Sequence, residues 1–256
     1  MARIHGFDHF CEHLKGLEEF YCIIGGGAAA ILFEENGLEF RATKDVDFLV
    51  LSISEELNRR VLQYIKEGGY ETREATKAEP KYYRFLHPAD ESCPKIIEIF
   101  ARNQLELELT ADQKIIPIND SYGERLSAIL LDEEYFALIQ KNIIRLESGI
   151  PIINAAVNIC LKAGAYRDLL ARKQAGEPNI DDKDIQKHLK DIWRLAVMLK
   201  GDETIVIHGK PQQAIHSVIL ELDDLPEERF GQVMKDYGVK KDALMDVLKQ
   251  VFLVQY

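Results

Sequence analysis

The stretch Tyr21-Cys22-Ile23-Ile24-Gly25-Gly26-Gly27-Ala28-Ala29-Ala30-Ile31-Leu32-Phe33 decides how the chain begins to fold. A short apolar run is stopped by glycines, and good helix formers follow, which predicts strand, glycine turn, helix. Upstream, Phe7, Phe10, Leu14, Leu17 and Phe20 recur at steps of three and four and predict an amphipathic helix. Downstream, Asp45 to Leu51 reads as a strand with acids at its start. Ser52 or Ser54 then caps a helix whose apolar stripe is Leu57, Val61 and Ile65.

Beyond Thr72 the pattern turns to short strands, around Tyr82 to Leu86, Lys95 to Ala101, Leu105 to Leu109 and Lys114 to Ile118. They are expected to form one mixed sheet flanked by the earlier helices. After Gly123 a hairpin is predicted at Ile143 to Ile153 around Ser148-Gly149, followed by a helix from about Asn154 to Lys173. Further helices are expected at Asp182 to Leu199, Gln212 to Leu222, Glu227 to Tyr237 and Asp242 to Phe252, with Pro226 at a first turn. The expected class is α+β: a mixed-sheet domain over residues 1–122, then a mainly helical domain over 123–256, without internal repeats.

Composition narrows the function classes. The net charge is -11, from 32 Lys+Arg against 43 Asp+Glu, which argues against general nucleic-acid binding through phosphate neutralisation, though it leaves room for a local basic groove. No apolar stretch approaches the roughly 18 residues of a membrane span, and the first residues do not form a secretory signal. The expectation is a soluble, cytoplasmic protein with no membrane partner. Cys11, Cys22, Cys93 and Cys160 are scattered without a C-x-x-C pair, which suits reduced thiols.

The chemistry lies in the glycine turn and the acids after it. A glycine turn opening a helix presents backbone N–H groups and a positive dipole end that can hold a phosphate. Asp45 and Asp47 are two apart, so on a strand their carboxylates share a face and can hold divalent cations. Two metals about 3.5 to 4 Å apart support phosphoryl transfer. A third carboxylate is offered by Glu98, an isolated acid in Ile96-Ile97-Glu98-Ile99-Phe100, where a charge is costly unless paired or metal-bound. Glu106 and Glu108 alternate with leucines, as on a half-solvated strand, and are weaker candidates.

Each feature has a plainer account: a glycine turn is usually a turn, and a D-x-D pair at a strand start is usually solvated or capping. Gly25 to Ala30 also satisfies G-x-G-x-x-A, with an acid about 20 residues on, as in dinucleotide binding. In that fold the acid ends the second strand, whereas Asp45 precedes its apolar run. A P-loop is excluded, because no Lys-Ser or Lys-Thr follows the glycines.

At these residues the chain resembles the nucleotidyltransferase superfamily related to DNA polymerase beta, and within it the AbiEii-like abortive-infection and toxin family. The turn Ile23 to Ala29 and the segment Arg41 to Asp47 look like that family's first motif; Leu161-Lys162-Ala163 and Asp182 to His188 look like its lysine-bearing helix and its Lys-Asp helix start. The likeness spans most of residues 20 to 200. Gly27 stands where relatives often carry Thr or Ser, and Glu98 where Asp is usual.

The resemblance implies a Mg²⁺-dependent enzyme that moves a nucleoside monophosphate from a nucleoside triphosphate to an acceptor hydroxyl on RNA or protein. A toxin and antitoxin or phage-defence setting, with a cognate antitoxin as partner, is also implied. In that scheme Gly25 and Gly26 hold distal phosphates and Thr43 lies beside the nucleotide. Asp45, Asp47 and Glu98 are the catalytic, metal-holding carboxylates, and Lys162 offsets triphosphate charge. The alternative for Lys162 is a solvated position, and for Lys183 and Asp184 simple helix-start residues. For the whole protein the alternatives are a catalytically silent member that binds a nucleotide or a protein, and a metal-dependent phosphodiesterase.

Other clusters carry less. His5, His9 and His13 are four apart, a spacing that permits a metal site but more often belongs to solvated side chains, and Gly6 weakens the first turn. The cysteines have no paired His motif and no G-x-S-x-G elbow is present. Arg167, Arg172, Lys173, Lys183, Lys187 and Lys190 bracket the loop at Gly176, where interleaved acids favour a solvated face over an RNA guide.

Overall fold

A computed structural model describes residues 4–74, 81–101, 115–117, 129, 132–178 and 180–253. The chain forms two compact units, Met1–Leu131 with Gln140–Asn154, and Asp132–Ile139 with Ala155–Tyr256. It is an α+β protein, with a mixed sheet and its helices followed by a helical region.

Among the described residues the first unit holds eight strands, β1 (Tyr21–Ile24), β2 (Asp45–Val50), β3 (Glu71–Glu74), β4 (Lys81–Leu86), β5 (Ile96–Ala101), β6 (Ile115–Pro117), β7 (Ile143–Arg145) and β8 (Pro151–Ile153). Their order is β6-β3-β4-β5-β2-β1-β8-β7. Parallel pairs join β2 to β5, β1 to β8 and β3 to β6, and the remaining neighbours are antiparallel. Among the described residues, helices of this unit include α1 (Phe7–His13), α2 (Gly25–Glu35) and α3 (Glu55–Glu67).

Strand alternation gives the sheet two faces. One carries Phe48, buried and stacked on Tyr21 at 4.8 Å between ring centroids, with Phe10 of α1 edge-on to Phe48 at 5.7 Å. Tyr64 of α3 meets Phe10 at 5.2 Å, so α1 and α3 close this core. Burying each such aromatic contributes about 1.5–3 kcal/mol.

The predicted strands at Tyr21 and Asp45 and the helix after Ser54 are present. Ser54 Oγ accepts from Leu57 N–H at 3.3 Å, which settles the choice of cap. The N-terminal helix is shorter than its periodicity predicts and ends at His13. Arg60 Nη1 donates to the carbonyls of His13 and Lys15 at 3.0 and 3.2 Å, and Gly16 turns the chain at φ 87. Leu14 and Leu17 remain buried, so turns satisfy the apolar pattern that looked helical. The strand expected at Leu105 to Leu109, with Glu106 and Glu108, lies outside the described residues. The hairpin at Ser148-Gly149 joins this sheet, because β8 pairs with β1, with Gly149 at φ 85 in its turn.

The second unit contains α4 (Glu133–Lys141, as far as Ile139), α5 (Ala155–Gln174), α6 (Asp182–Ala196), α7 (Gly209–Asp224), α8 (Gly231–Tyr237) and α9 (Lys241–Val251). Helix α5 packs on α6 and α7, and a Cβ on Gly164 would stand 2.5 Å from Tyr135 Oη, so α4 crosses α5 closely there. Trp193 of α6 is buried against Phe230 at 4.5 Å. Instead of one helix from Glu227 to Tyr237, a 3-10 turn at Glu227–Phe230 precedes α8, and Pro226 is extended ahead of it (ψ 144) rather than in a first helical turn. No helix among the described residues is long and apolar enough to cross a membrane.

Candidate functional site

Strand β1 ends at Ile24 and α2 begins at the next residue, so the glycines are the first turn of the helix itself. Gly25 has φ 64, where a side chain is strained, and a Cβ on it would overlap Asp47 Oδ2. The next residue, Gly26, donates its N–H to Asp47 Oδ2 at 3.3 Å. A Cβ on Gly26 would lie 3.1 Å from Thr43 Oγ1 and 3.6 Å from Arg41 Nη2. The structure therefore gathers Gly25, Gly26, Thr43 and Asp47 at one helix N-terminus. Gly27 differs: a Cβ there would make only ordinary contacts, at 3.4 to 3.5 Å, with Ile4, Asp45 and Ile23.

Sheet register sets the carboxylates. Ile24, Asp47, Glu98 and Arg84 are successive partners across β1, β2, β5 and β4, so their side chains leave one face in a row. Asp45 shares that face beside Asp47, where it pairs with Ile96. Asp47 and Glu98 are both buried, at 8% and 2% exposure, and Asp45 is half-buried. Arg84 Nε lies 3.1 Å from Glu98 Oε1, an ion pair that explains how a charge survives in an otherwise apolar strand.

Among the described residues no group of three or more His, Cys, Asp or Glu side chains is placed to share a cation. Glu98 is drawn to Arg84 and Asp47 to the Gly26 N–H. Asp45 and Asp47 by themselves suit Mg²⁺, which is commonly held by one or two carboxylates together with substrate phosphates. Arg84 was not read from the sequence. Its signal was there: one charge inside Tyr83-Arg84-Phe85, matching in reverse sign the one acid inside Ile97-Glu98-Ile99.

Lys162 belongs to the second unit and is buried at 5% exposure, which overturns the solvated alternative. Its Nζ stands 3.5 Å from Oδ2 of the fully buried Asp191, and Arg194 Nη1 lies 3.2 Å from Asp191 Oδ1. Asn158 and His188, on the same two helices, are also buried. Asp181 caps α6 by accepting from Lys183 N–H at 2.9 Å, so Lys183 and Asp184 occupy its first turn. At the Gly176 loop Arg172 pairs with Glu177 and Lys173 with Asp182, which favours an internally compensated face.

The three histidines do not converge. His5 bonds the Glu91 carbonyl, His9 the Tyr64 hydroxyl at 2.9 Å, and His13 the Arg60 carbonyl at 3.0 Å. They fasten the N-terminal segment to the α3 region and the loop before β5. The fold also places Cys93 Sγ 3.9 Å from His9 Nδ1, a proximity that sequence motifs did not signal. All four cysteines are buried and free, and burial, with Asp8 and Glu18 nearby, pushes the Cys11 thiol up to about 12.

No family model matches the chain, and no curated protein sequence matches it. Among solved structures it is similar to an antigenic nucleotidyltransferase-like protein from Paracoccidioides brasiliensis. The match has 13% identity and a TM-score of 0.44, covering 92% of this chain and 93% of that one. A likeness that slight assigns neither fold nor activity.

Proposed function

We propose that the first unit is a Mg²⁺-dependent nucleotidyltransferase that moves a nucleoside monophosphate from a nucleoside triphosphate to an acceptor hydroxyl on RNA or protein. The observation that supports it is the seat of Asp47 beside the α2 N-terminus. Gly26 donates to its carboxylate, and Gly25 has no side chain to collide with it. A helix N-terminus without side chains receives phosphate oxygens through backbone N–H groups. The Asp45 and Asp47 carboxylates on the adjoining strand would hold the cation that accompanies those phosphates. When bound, Mg²⁺ supplies charge stabilisation at the phosphoryl oxygens.

The chain's own residues orient the triphosphate: Gly25 and Gly26 at its distal phosphates, Thr43 beside the nucleotide, and the Asp pair toward the reacting phosphorus. The acceptor hydroxyl would give up its proton to solvent water and bond through its oxygen to the α-phosphorus as the α–β bridge breaks and pyrophosphate departs. The motif likeness to the AbiEii-like family supports a toxin and antitoxin or phage-defence role with a cognate antitoxin. A cytoplasmic setting is part of that reading.

A second reading, a silent member that binds a nucleotide or a partner protein, is favoured by one observation: Asp47 and Glu98 each have an internal structural partner. Transfer of label from α-labelled ATP, GTP, CTP and UTP to total RNA or to cell protein separates the two. The proposal expects label on one acceptor class, lost in Asp45→Asn and Asp47→Asn with both variants still folded. Transfer retained by both variants refutes it, and nucleotide binding without any transfer favours the silent member.

A further inference from the structure

We infer that Arg84 is a phosphate-binding residue of this face, and that Glu98 is its positioning residue rather than a third metal ligand. The inference rests on the nucleotidyltransferase reading and changes the composition of its site. Arg84, Glu98 and Asp47 occupy one row of the sheet, on three adjacent strands. Two strand spacings, about 9–10 Å, separate the Arg84 and Asp47 backbones, within reach of a long arginine side chain and a ligand lying along the row. The guanidinium therefore stands on the same face as the Asp pair, displaced from it toward β4.

Burial divides the roles within the ion pair. The Glu98 side chain is 3% exposed and that of Arg84 is 22% exposed, with Nε to Oε1 at 3.1 Å. The carboxylate is thus the closed end of the pair and the guanidinium the open end. To ligate a metal, the buried Glu98 carboxylate would have to share its charge between the metal and the Arg84 guanidinium, which disfavours that role. Consistent with this, Glu98 does not join Asp45 and Asp47 in a shared cation site among the described residues.

Charge balance points the same way. A triphosphate brought to Asp45 and Asp47 adds negative charge to an acidic face, and one Mg²⁺ only partly offsets it. Guanidinium groups present several donors in a plane and match phosphate oxygens in pairs, as a lysine point charge does not. An arginine held in an ion pair with an internal carboxylate is restrained before the ligand arrives, which lowers the ordering cost of binding. A purely structural pair would explain the burial of Glu98 equally well, but it would leave phosphate affinity unchanged when altered.

The test uses the full chain with two probes: Mn²⁺ alone, and inorganic tripolyphosphate in the presence of Mg²⁺, each titrated by calorimetry. The proteins are wild type, Asp47→Asn, Glu98→Gln, Arg84→Lys, Arg84→Gln and the Arg84→Gln/Glu98→Gln double variant. Expected are Mn²⁺ affinity lost in Asp47→Asn but within twofold of wild type in Glu98→Gln. Tripolyphosphate should be weakened about 10- to 100-fold in Arg84→Gln, with an intermediate loss in Arg84→Lys. The double variant should be no weaker than Arg84→Gln alone, because Glu98 acts through Arg84. Should Arg84→Gln fail to fold because Glu98 is left buried and unpaired, the double variant, neutral at both positions, carries the same expectation.

Loss of the Mn²⁺ site in Glu98→Gln, or tripolyphosphate affinity unchanged in Arg84→Lys and the double variant, overturns the inference while leaving the function standing. Wild-type protein that binds neither Mn²⁺ nor tripolyphosphate overturns the nucleotidyltransferase reading itself.

Discussion

Gly25 and Asp47 fit together so closely that the glycine's missing side chain is part of the aspartate's seat: a Cβ on Gly25 would overlap Asp47 Oδ2 and stand 3.0 Å from its Cγ. The neighbouring Gly26 N–H donates to the same Oδ2 at 3.3 Å. A carboxylate is favourable at a helix N-terminus whether or not a ligand follows, so the same geometry serves folding and the proposed chemistry.

Gly25→Ala should therefore destabilise the first unit by about 1–2 kcal/mol from its left-handed backbone alone, and displace Asp47 in addition. Gly27→Ala, with only ordinary contacts at 3.4 to 3.5 Å, should be neutral or stabilising by about 0.4–1 kcal/mol. Urea unfolding of the two variants checks the contrast. Equal destabilisation would contradict the assigned seat.

In the second unit Asp191 faces two cations, Lys162 and Arg194, at 3.5 and 3.2 Å. Asp191→Ala leaves both without their anion in a closed environment and should cost about 3–5 kcal/mol. Lys162→Met leaves Asp191 still paired with Arg194 and should cost less. The order of the two unfolding midpoints decides the matter, and the reverse order would show that Lys162 is the more important partner.

All four thiols are buried, and burial raises the Cys11, Cys22 and Cys160 thiols above their ordinary 9.0. The reactive thiolates of these three are therefore scarce at pH 8, and Cys93 is closed off by burial at 2% exposure. Intact-mass measurement after iodoacetamide should find the folded protein unmodified and the urea-unfolded protein carrying four adducts, one for each Cys in the sequence. Fast labelling of the folded chain would show that one of these sites opens.

Lys210 donates to Asp132 across the start of α7, while Glu134 Oε2 accepts from the Lys210 backbone N–H at 2.7 Å. Burial alone would raise the Asp132 carboxyl, but the Lys210 hydrogen bond and backbone donors outweigh it and hold the pKa below 3.8. The same partner raises Lys210 above 10.5. Asp132's contribution is thus present above pH 3.8 and lost as pH falls through its lower folded value; that of Lys210 is present below pH 10.5 and lost as pH rises through its higher one. Asp132→Asn should lower the melting temperature at pH 7 and flatten the acid limb of the melting curve against pH. A variant whose acid limb matches wild type would remove Asp132 from this role.

Local signals were legible wherever the cause was local. The apolar run ending in Gly25, the acids at the start of β2, the Ser54 cap, the Gly149 turn and the Leu57, Val61 and Ile65 stripe of α3 all depend on residues within a few positions of one another. The sequence likewise singled out Glu98 as a charge needing a partner, since that need follows from desolvation alone.

Which partner it has could not be read, because sheet register is decided by strands far apart in the chain. Arg84 comes to Glu98 only through the β4 and β5 pairing, and Asp47 to Glu98 only through β2 and β5. Arg60, 47 residues from His13, helps end α1 where periodicity would have extended it. Lys162 finds Asp191 only when α5 packs on α6. Local patterning sufficed for most of the strands and helices, for the glycine turn and for the residues whose charge would be costly to bury. Which opposite charges meet follows from strand pairing and helix packing, which join distant segments at contact distance, and contact distance sets electrostatic strength.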